Sequence, residues 1–211
     1  MSNEISLEEL GKVEGIGKKI FQRIRQQMIK KGKIKKMSVE EVGFPNNKYD
    51  VIYADPPWKY DFSRSDNRKI ENKYPTMTLK EIKQLPVEEI SKDNAVLYLW
   101  ATAPKAELAY EVIKAWGFEY KTEAIWDKKV KGMGYWWRGQ HEKLLVATKG
   151  KFSPPKPEDR ENSIYSEKRG QHSKKPEHYR KWIKEAFPNT KKIELFARQK
   201  VEDWDCWGNE V

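Results

Sequence analysis

A continuous apolar segment, Ala95–Ala101, limits the folds that are open to this chain. An uninterrupted run of this kind predicts a β-strand that is covered on both faces, as in a sheet with helices on either side. Thr102 and Pro104 end the segment, and apolar positions at helical spacing follow over 106–116. Gly117 then occupies the position that is typical of a helix C-cap. The segment therefore predicts a buried strand followed by a helix.

Similar patterns recur along the rest of the chain. Apolar runs predict further strands over 49–54, 118–127, 144–147 and 192–198. Amphipathic patterns predict helices over 78–85 and 176–187, the second with proline at its first position. The stretches 59–73 and 149–175 lack a clear element and are expected to be long loops. The alternation of strands with helices predicts an α/β fold with a doubly wound sheet.

The first 36 residues differ in composition from the rest. Residues 1–36 carry ten basic and four acidic side chains and so contribute +6 of the formal net charge of +10. Within them, Gly15, Gly17 and Lys18 lie in a segment that resembles a helix-hairpin-helix element, in which glycines let the backbone approach a phosphate. The alternative is a solvated basic helix pair that packs on the core. We therefore expect a small helical appendage at 1–36 and a second domain over 37–211.

The charge balance and the cysteine count narrow the class of protein. The chain has 211 residues, with 42 Lys and Arg against 32 Asp and Glu, and this excess favours a polyanionic partner, nucleic acid first. One cysteine, Cys206, excludes an intramolecular disulfide, and three histidines without paired cysteines provide no zinc spacing. No apolar run approaches the roughly 20 residues that span a bilayer. We therefore expect a cytoplasmic protein without a membrane segment or a metal.

The segment Tyr49–Trp58 joins a predicted strand to an unusual ending of Asp55, Pro56, Pro57 and Trp58. Asp55 offers acceptor oxygens, and the Pro56 carbonyl is expected to be a second, free acceptor. Trp58 offers a π-face on which a base can stack, and the prolines hold these groups in a fixed relation. The arrangement suits a planar base with an exocyclic amine, whose two hydrogens need two acceptors. The alternative is a strand that ends at a Pro-Pro turn with Trp58 in the core.

The order of these motifs resembles the MT-A70 family of N6-adenine methyltransferases. The resemblance runs over about 50–211 and is most specific at 55–58, the catalytic motif, and at 194–198. It implies a Rossmann-like methyltransferase sheet and S-adenosylmethionine as the methyl donor. It also implies that Asp55 and the Pro56 carbonyl hold the N6 hydrogens of adenine, so that the nitrogen lone pair faces the sulfonium methyl.

The same resemblance implies further site residues. A Tyr-x-Thr-Met segment places Tyr74 against the substrate, with packing under the loop as the alternative. The helix start after Lys175 can receive the methionine carboxylate of the cofactor, because a helix N-terminus carries partial positive charge. The implied cofactor contacts are Asp55, His141, Lys175, Phe196, Arg198, Asn209 and Glu210. Glu210 replaces a glutamine that the family commonly carries, and a partly buried structural role is the alternative for His141.

The segment 129–143 interleaves three glycines with aromatic and basic side chains. This mixture suits an adaptable surface that stacks on bases and meets phosphates, and we assign Trp136, Trp137 and Arg138 to substrate binding. A tryptophan pair in the core is the alternative. Because two adjacent tryptophans rarely both reach one core, one of them is expected to face a groove or a partner.

The sequence thus predicts an S-adenosylmethionine-dependent N6-adenine methyltransferase that acts on DNA. The same chemistry on RNA adenine is the first alternative. Cytosine N4 methylation is the second, because cytosine also presents an exocyclic amine to an Asp-Pro-Pro turn. A noncatalytic nucleic-acid-binding subunit is the third, since the family pairs active with inactive subunits, although the intact motif at Asp55 argues against it. The family habit of pairing also suggests a homodimer.

Overall fold

A mixed β-sheet organises the residues that the computed structural model describes, which are 43–59, 76–132, 134, 136–170, 174–209 and 211. In this part of the chain the strands are β1 (Tyr49–Ala54), β2 (Ser91–Thr102), β3 (Glu119–Asp127), β4 (His141–Lys149), β5 (Ile164–Ser166), β6 (Lys192–Leu195) and β7 (Asp205–Trp207). Across the sheet the order is β5-β3-β4-β2-β1-β6-β7. All of these strands lie within the unit formed by residues 44–211.

Strand β1 has parallel neighbours on both sides, β2 and β6. Strand β6 in turn pairs in parallel with β7. Strand β4 is antiparallel to both β2 and β3, and β5 pairs in parallel with β3. Because the chain passes from β1 to β2 on one side and returns through β6 on the other, β1 marks the topological switch point of the sheet.

The α-helices of the described residues are α1 (Leu79–Lys83), α2 (Val87–Ile90), α3 (Ala106–Ala115) and α4 (Glu177–Ala186). Helix α1 begins with the capping box that the sequence predicts. The side-chain oxygen of Thr78 accepts from the backbone of Glu81, whose carboxylate accepts from Thr78 N at 2.7 Å. Beyond α3, Gly117 has a φ of 79°, which a glycine adopts without a Cβ penalty. These local signals therefore set the start of α1 and the end of α3.

Buried side chains cover both faces of the sheet. On one face Val51, Tyr53 and Trp100 belong to an apolar cluster with Tyr179 and Ile183 of α4. Successive side chains of a strand point to opposite faces, and the intervening residues of β1 and the central part of β2 are buried as well. Helix α3, whose buried residues lie outside that cluster, packs against β2 and β3 and covers the other face. Helices therefore flank the sheet on both sides.

The predicted α/β fold with a doubly wound sheet is confirmed, although some strand bounds differ. Strand β4 begins at His141, three residues before the predicted run, because its antiparallel pairing continues to the last residue of β3. Strand β6 ends at Leu195 instead of Arg198, because Phe196 has a φ of 64°, which breaks the extended backbone. The short strands β5 and β7 were not predicted, and β5 lies within the expected loop 149–175.

Several predictions from the sequence fall outside the described residues. These are the helical appendage at 1–36 with Gly15, Gly17 and Lys18, and the site residues Tyr74 and Glu210. Where the structure does describe the chain, it has no helix that is both long and apolar enough to cross a membrane. The same residues include no group of three or more His, Cys, Asp or Glu side chains that could hold a metal ion.

Gly208 marks a close backbone approach beside the end of β7. A Cβ at this position would lie 2.6 Å from Ala197 N and closer still to the carbonyl oxygen of the same residue. Backbone atoms cannot yield as the end of a flexible side chain does. Gly208→Ala is therefore expected to lower the free energy of unfolding by about 1–3 kcal/mol, as substitutions at overpacked sites do.

Urea unfolding measures this change in the free energy of unfolding. Gly170→Ala is the matched control, since nothing lies within 4 Å of its Cβ position, and equal midpoints for the two variants would contradict the prediction.

Candidate active site

Seven strand ends lie along one edge of the sheet. They are the carboxyl ends of β1, β2, β3, β5, β6 and β7 and the amino end of β4. The register shows this alignment, because Ala54 pairs with Leu99 of β2 and with Leu195 of β6. Ligands of open α/β sheets bind outside this edge, at the switch point. Asp55 directly follows β1 and therefore occupies that position.

The residues after β1 form a tight turn. The backbone N–H of Trp58 donates to the Pro56 carbonyl at 2.8 Å, and Met77 N–H donates to the Pro57 carbonyl at 2.9 Å. The Pro56 carbonyl therefore keeps one of its two lone pairs for a ligand, whereas the sequence predicted a wholly free acceptor. The side chain of Trp58 is buried, and its indole N–H donates to the Trp100 carbonyl at 3.2 Å. The ring lies in the core in this structure, and its stacking on a base stays a prediction.

Four charged side chains form a continuous and largely buried series beside this turn. The Nζ of Lys175 lies 2.6 Å from Oδ2 of Asp55 and 3.3 Å from Oε2 of Glu142. The Nζ of Lys128 lies 3.2 Å from Oε1 of the same glutamate. Lys175 also lies over the ring of Trp100, 5.5 Å from its centroid, which is a cation–π distance. We call Asp55, Lys175, Glu142 and Lys128 the charge chain.

Burial and ion pairing shift the pKa values of Glu142 and Lys175 in opposite directions. Burial alone would raise the pKa of Glu142, but attraction to Lys175 and Lys128 outweighs it and holds the pKa below its ordinary value. Burial alone would lower the pKa of Lys175, but the carboxylates of Asp55 and Glu142 outweigh it and raise the pKa. Glu142 and Lys175 are therefore both stabilised in their charged forms by their neighbours.

A second buried ion pair joins α4 to β6. The guanidinium of Arg180 donates to Glu194 at 2.5 Å and to Glu177 at 2.6 Å. Burial raises the pKa of Glu194, and Arg180 opposes this shift only in part. The ion pair between Arg180 and Glu194 fixes the first turn of α4 against the sheet. Because Lys175 stands two residues before that helix, its position opposite Asp55 follows from the same contact.

The turns after β6 and β7 reach the same edge of the sheet as Asp55. Phe196 has a φ of 64°, a left-handed conformation that a bulky residue rarely adopts outside functional or strained turns. Its ring packs against Trp207 with 5.7 Å between the ring centroids. Arg198 is half-buried and Asn209 is exposed just beyond these two turns. The predicted cofactor residues that the structure describes on these turns therefore share one edge with the predicted catalytic motif.

The loop between β3 and β4 carries the predicted substrate-binding residues. Trp136 is 94% exposed and Trp137 is 87% exposed. The alternative of a tryptophan pair in the core is therefore wrong, and both rings, not only one, face outward. Arg138 is exposed beside them. His141 is half-buried at the start of β4, where it pairs with Asp127 of β3.

The charge chain contains residues that the sequence analysis missed. Lys175 was expected beside the cofactor carboxylate, and the structure places its ammonium on two protein carboxylates. Glu142 carried a signal, because it shares strand parity with Leu144 and Val146, which belong to or pack against the apolar cluster, so that its side chain points to the same face. Lys128 carried no such signal, because only the folded position of Glu142 provides its partner.

A cavity of about 600 Å³ lies at the opposite edge of the sheet, where β6 and β7 begin. Its lining residues are Lys184, Pro188, Thr190, Lys191, Lys192, Asp203, Trp204 and Asp205. Lys192 and Asp205 are the first residues of those two strands, so the cavity is a strand length away from Asp55. We place the functional site at the switch point, because the carboxylate, the prolines and the charge chain lie there.

The fold and the site together define the class of protein. A seven-stranded α/β sheet carries an Asp-Pro-Pro-Trp turn at its switch point, beside the turns after β6 and β7. This combination is that of a Rossmann-like methyltransferase.

Comparison with known proteins identifies the family. Residues 49–210 match MT-A70. The chain is 40% identical over 185 residues to the type II methyltransferase M.MunI of a Mycoplasma species, an alignment that covers 79% of each chain. It is 31% identical over 174 residues to the human N(6)-adenosine-methyltransferase catalytic subunit METTL3, covering 78% of this chain but 28% of METTL3. A Drosophila melanogaster N(6)-adenosine-methyltransferase MT-A70-like protein is 30% identical over 174 residues, covering 78% of this chain and 27% of that protein. The chain belongs to the MT-A70 family of methyltransferases.

Proposed function

We propose that this protein transfers a methyl group from S-adenosylmethionine to the N6 amino group of adenine in DNA. The observation that carries the proposal is the position of Asp55 at the switch point, where Lys175 holds one of its oxygens. The names of METTL3 and of the Drosophila relative support adenine N6 as the acceptor. The type II methyltransferase M.MunI, which this chain matches over most of both lengths, favours DNA.

The turn after β1 offers acceptors for both hydrogens of an amino group. A carboxylate has about four lone-pair sites, so that one ammonium donor on Oδ2 leaves Asp55 able to accept an amino hydrogen. The remaining lone pair of the Pro56 carbonyl accepts the other. Lys175 and the turn hydrogen bond from Trp58 hold these acceptors in place before a base enters. The amino nitrogen is thereby oriented for attack along a single direction.

The two acceptors also stabilise the transition state. S-adenosylmethionine supplies an electrophilic methyl group when it is bound. As N6 accepts this methyl group, positive charge would develop on the nitrogen, and the thioether of the donor would be the leaving group. Asp55 and the Pro56 carbonyl stabilise that charge, because their oxygens point at the hydrogens that carry it. The extra proton leaves N6 for water after the methyl group has arrived, so Asp55 does not have to act as a strong base.

The residues beside Asp55 fit a nucleoside cofactor with a carboxylate. Gly208 has no side chain at a point where a Cβ would press on the backbone of Ala197, so the turns after β6 and β7 pass close together. Phe196, Arg198 and Asn209 of these turns would hold the cofactor, with His141 from the start of β4. The first turn of α4 presents free N–H groups that suit the carboxylate. We assign to Lys175 the orientation of Asp55, since its ammonium already contacts that side chain.

The same chemistry on RNA is the second candidate, because METTL3 and the Drosophila relative are named as adenosine enzymes. The net charge of +10 suits either polymer. A cytoplasmic location is part of the proposal. The nucleic-acid role of the arm at 1–36 and the formation of a homodimer stay predictions.

Identification of the modified nucleoside tests the function. The purified protein is incubated with isotope-labelled S-adenosylmethionine and, separately, with single-stranded DNA, duplex DNA or RNA. The nucleic acid is then digested, and the nucleosides are identified by mass spectrometry. We expect labelled N6-methyldeoxyadenosine. Label in N6-methyladenosine from RNA alone would favour the second candidate, label in N4-methylcytosine would overturn the choice of base, and no labelled nucleoside from any substrate would overturn the proposal.

A further inference from the structure

In the loop between β3 and β4, the described residues are 128–132, 134 and 136–140, and the two sides of the loop are hydrogen-bonded to each other. Lys128 N–H donates to Gln140 O at 2.8 Å, and Gly132 N–H donates to Gly139 O at 2.8 Å, so the two sides of the loop pair beyond the sheet. A Cβ on Gly132 would lie 2.5 Å from Gly139 O, and one on Gly134 would meet the carbonyl oxygen of Trp137. The glycines therefore permit a close backbone approach, and the loop extends the β3–β4 hairpin. We call residues 128–140 the aromatic hairpin.

Asp127 fixes the base of the aromatic hairpin. Its Oδ1 accepts from Lys129 N and from Gln140 Nε2, each at 3.0 Å, and its Oδ2 accepts from Ser166 Oγ at 3.2 Å. The hydrogen bonds from the backbone and side chain of Lys129 are the main reason that the pKa of Asp127 lies at about 2. The carboxylate thus joins both sides of the hairpin to β5.

The aromatic hairpin exposes two tryptophans, and tryptophan has the largest side chain of the natural amino acids. A tryptophan side chain buries on the order of 150–250 Å² when it is covered, and Trp136 and Trp137 leave nearly all of that area in water. Single exposed apolar residues are common on protein surfaces, but two adjacent exposed tryptophans offer several hundred Å², roughly the patch size that marks an interaction surface. A partner that covers both rings would recover the apolar area that folding leaves exposed.

The charge of the aromatic hairpin indicates the kind of partner. Residues 128–140 include four Lys or Arg side chains and no Asp or Glu. Lys131 and Arg138 are exposed on either side of the tryptophans. Flat rings between cations match unpaired bases between phosphates, which is the pattern of single-strand binding surfaces. An apolar protein surface would not require the cations.

The aromatic hairpin also adjoins the candidate active site. Lys128 belongs to its base through the backbone bond to Gln140, and its ammonium contacts Glu142 of the charge chain at 3.2 Å. We propose that Trp136 and Trp137 form a platform on which unpaired bases next to the target adenine stack, so that the enzyme engages DNA whose strands are locally separated. This inference rests on the proposed function and adds to it the strand state of the substrate.

A binding experiment without a methyl donor tests the platform. Fluorescence anisotropy of a labelled 12-nucleotide single strand and of the matching duplex gives the two dissociation constants at one fixed salt concentration. The double variant Trp136→Ala/Trp137→Ala is expected to bind the single strand about 10- to 100-fold more weakly, with a smaller change for the duplex. Trp136→Phe/Trp137→Phe keeps two stacking rings and is expected to remain within about threefold of the unmodified protein.

The controls separate stacking from general loss of exposed apolar surface. Ile164→Ala removes another exposed apolar side chain, 63% exposed in β5, and is expected to leave binding unchanged. Unchanged single-strand binding by the double alanine variant would overturn the inference, as would equal losses for both nucleic acids.

Sedimentation tests whether a second copy of the chain, instead of DNA, covers the two tryptophans. A dimer that dissociates in the alanine variant with DNA affinity intact would assign the surface to a second copy of the chain. Because methyl transfer is not measured here, failure of the platform is distinct from failure of the proposed function.

Discussion

Replacing Asp55 with asparagine is expected to lower the rate of methyl transfer by about 100- to 1,000-fold, the usual loss when a preorganised electrostatic contact to the transition state is removed. The substitution exchanges one acceptor oxygen for an amide NH₂, which points hydrogens at the hydrogens of the substrate amine. It also removes the negative charge that stabilises the developing charge on N6. A single-turnover assay at saturating DNA and S-adenosylmethionine measures the step directly.

Asp93→Asn is the matched control, because Asp93 undergoes the same chemical change at an exposed position. It is expected to retain full activity. DNA affinity of Asp55→Asn, measured by anisotropy, is expected to stay within about threefold of the unmodified protein, since phosphate contacts dominate affinity. A rate within about twofold of the control would remove Asp55 from the mechanism.

Replacing Lys175 with methionine is expected to lower the free energy of unfolding by about 3 kcal/mol, because removal of one partner from a buried ion pair leaves an uncompensated charge. Methionine fills a similar volume but has no ammonium, so Asp55 and Glu142 keep only Lys128, which contacts Glu142 alone. The value lies at the low end for buried pairs, since the side chain of Asp55 is 23% exposed. Urea denaturation at neutral pH measures the change.

The neighbouring lysine provides the control. Lys174 contacts Glu177 at 2.9 Å, but its side chain is 54% exposed. Lys174→Met is therefore expected to change the free energy of unfolding by less than about 0.5 kcal/mol, as exposed pairs do. Similar effects for the two adjacent substitutions would show that the charge chain does not stabilise the fold.

The difference in stability between the unmodified protein and Lys175→Met is expected to depend on pH, with a defined sign. The lowered pKa of Glu142 means that its charged form contributes stability above its ordinary pKa of 4.5, and this contribution is lost as the pH falls through the lower, folded value. The raised pKa of Lys175 contributes stability below 10.5 that is lost at more alkaline pH. Lys175→Met lacks the main cause of the Glu142 shift. It is therefore expected to lose less stability than the unmodified protein on acidification to about pH 3, and an equal loss would contradict this assignment.

The elements that the sequence predicts well are those that bury an apolar face of their own. The continuous run in β2 and the helical spacing in α3 are examples, because a hydrophobic pattern of sufficient length fits one secondary structure only. Strands β5 and β7 have three residues each and lie at the two edges of the sheet, where each pairs on one side. Their conformation depends on the neighbouring strand, which no local pattern encodes.

The features of the candidate site also divide into those that adjacent residues predict and those that depend on the fold. Asp55 is predicted from the sequence because a strand, a carboxylate and two prolines are adjacent in the chain. Its contact with Lys175 joins residues 120 positions apart, so that it arises only from the order of strands in the sheet. The hydrogen bond from Trp58 to the Pro56 carbonyl depends on the backbone angles of the turn, which the residue types leave open. Local chemistry was therefore readable from the sequence, whereas the partners that orient it were not.

The reversed direction of β4 has a consequence for how enzymes of this kind diverge. Because β4 starts at the functional edge, Glu142 is fixed by its register with β2 and β3, whatever precedes it in the chain. Residues can be inserted or deleted at the tip of the preceding hairpin without moving Glu142 in this register. The length of the exposed tip is therefore independent of the ion pair between Glu142 and Lys175.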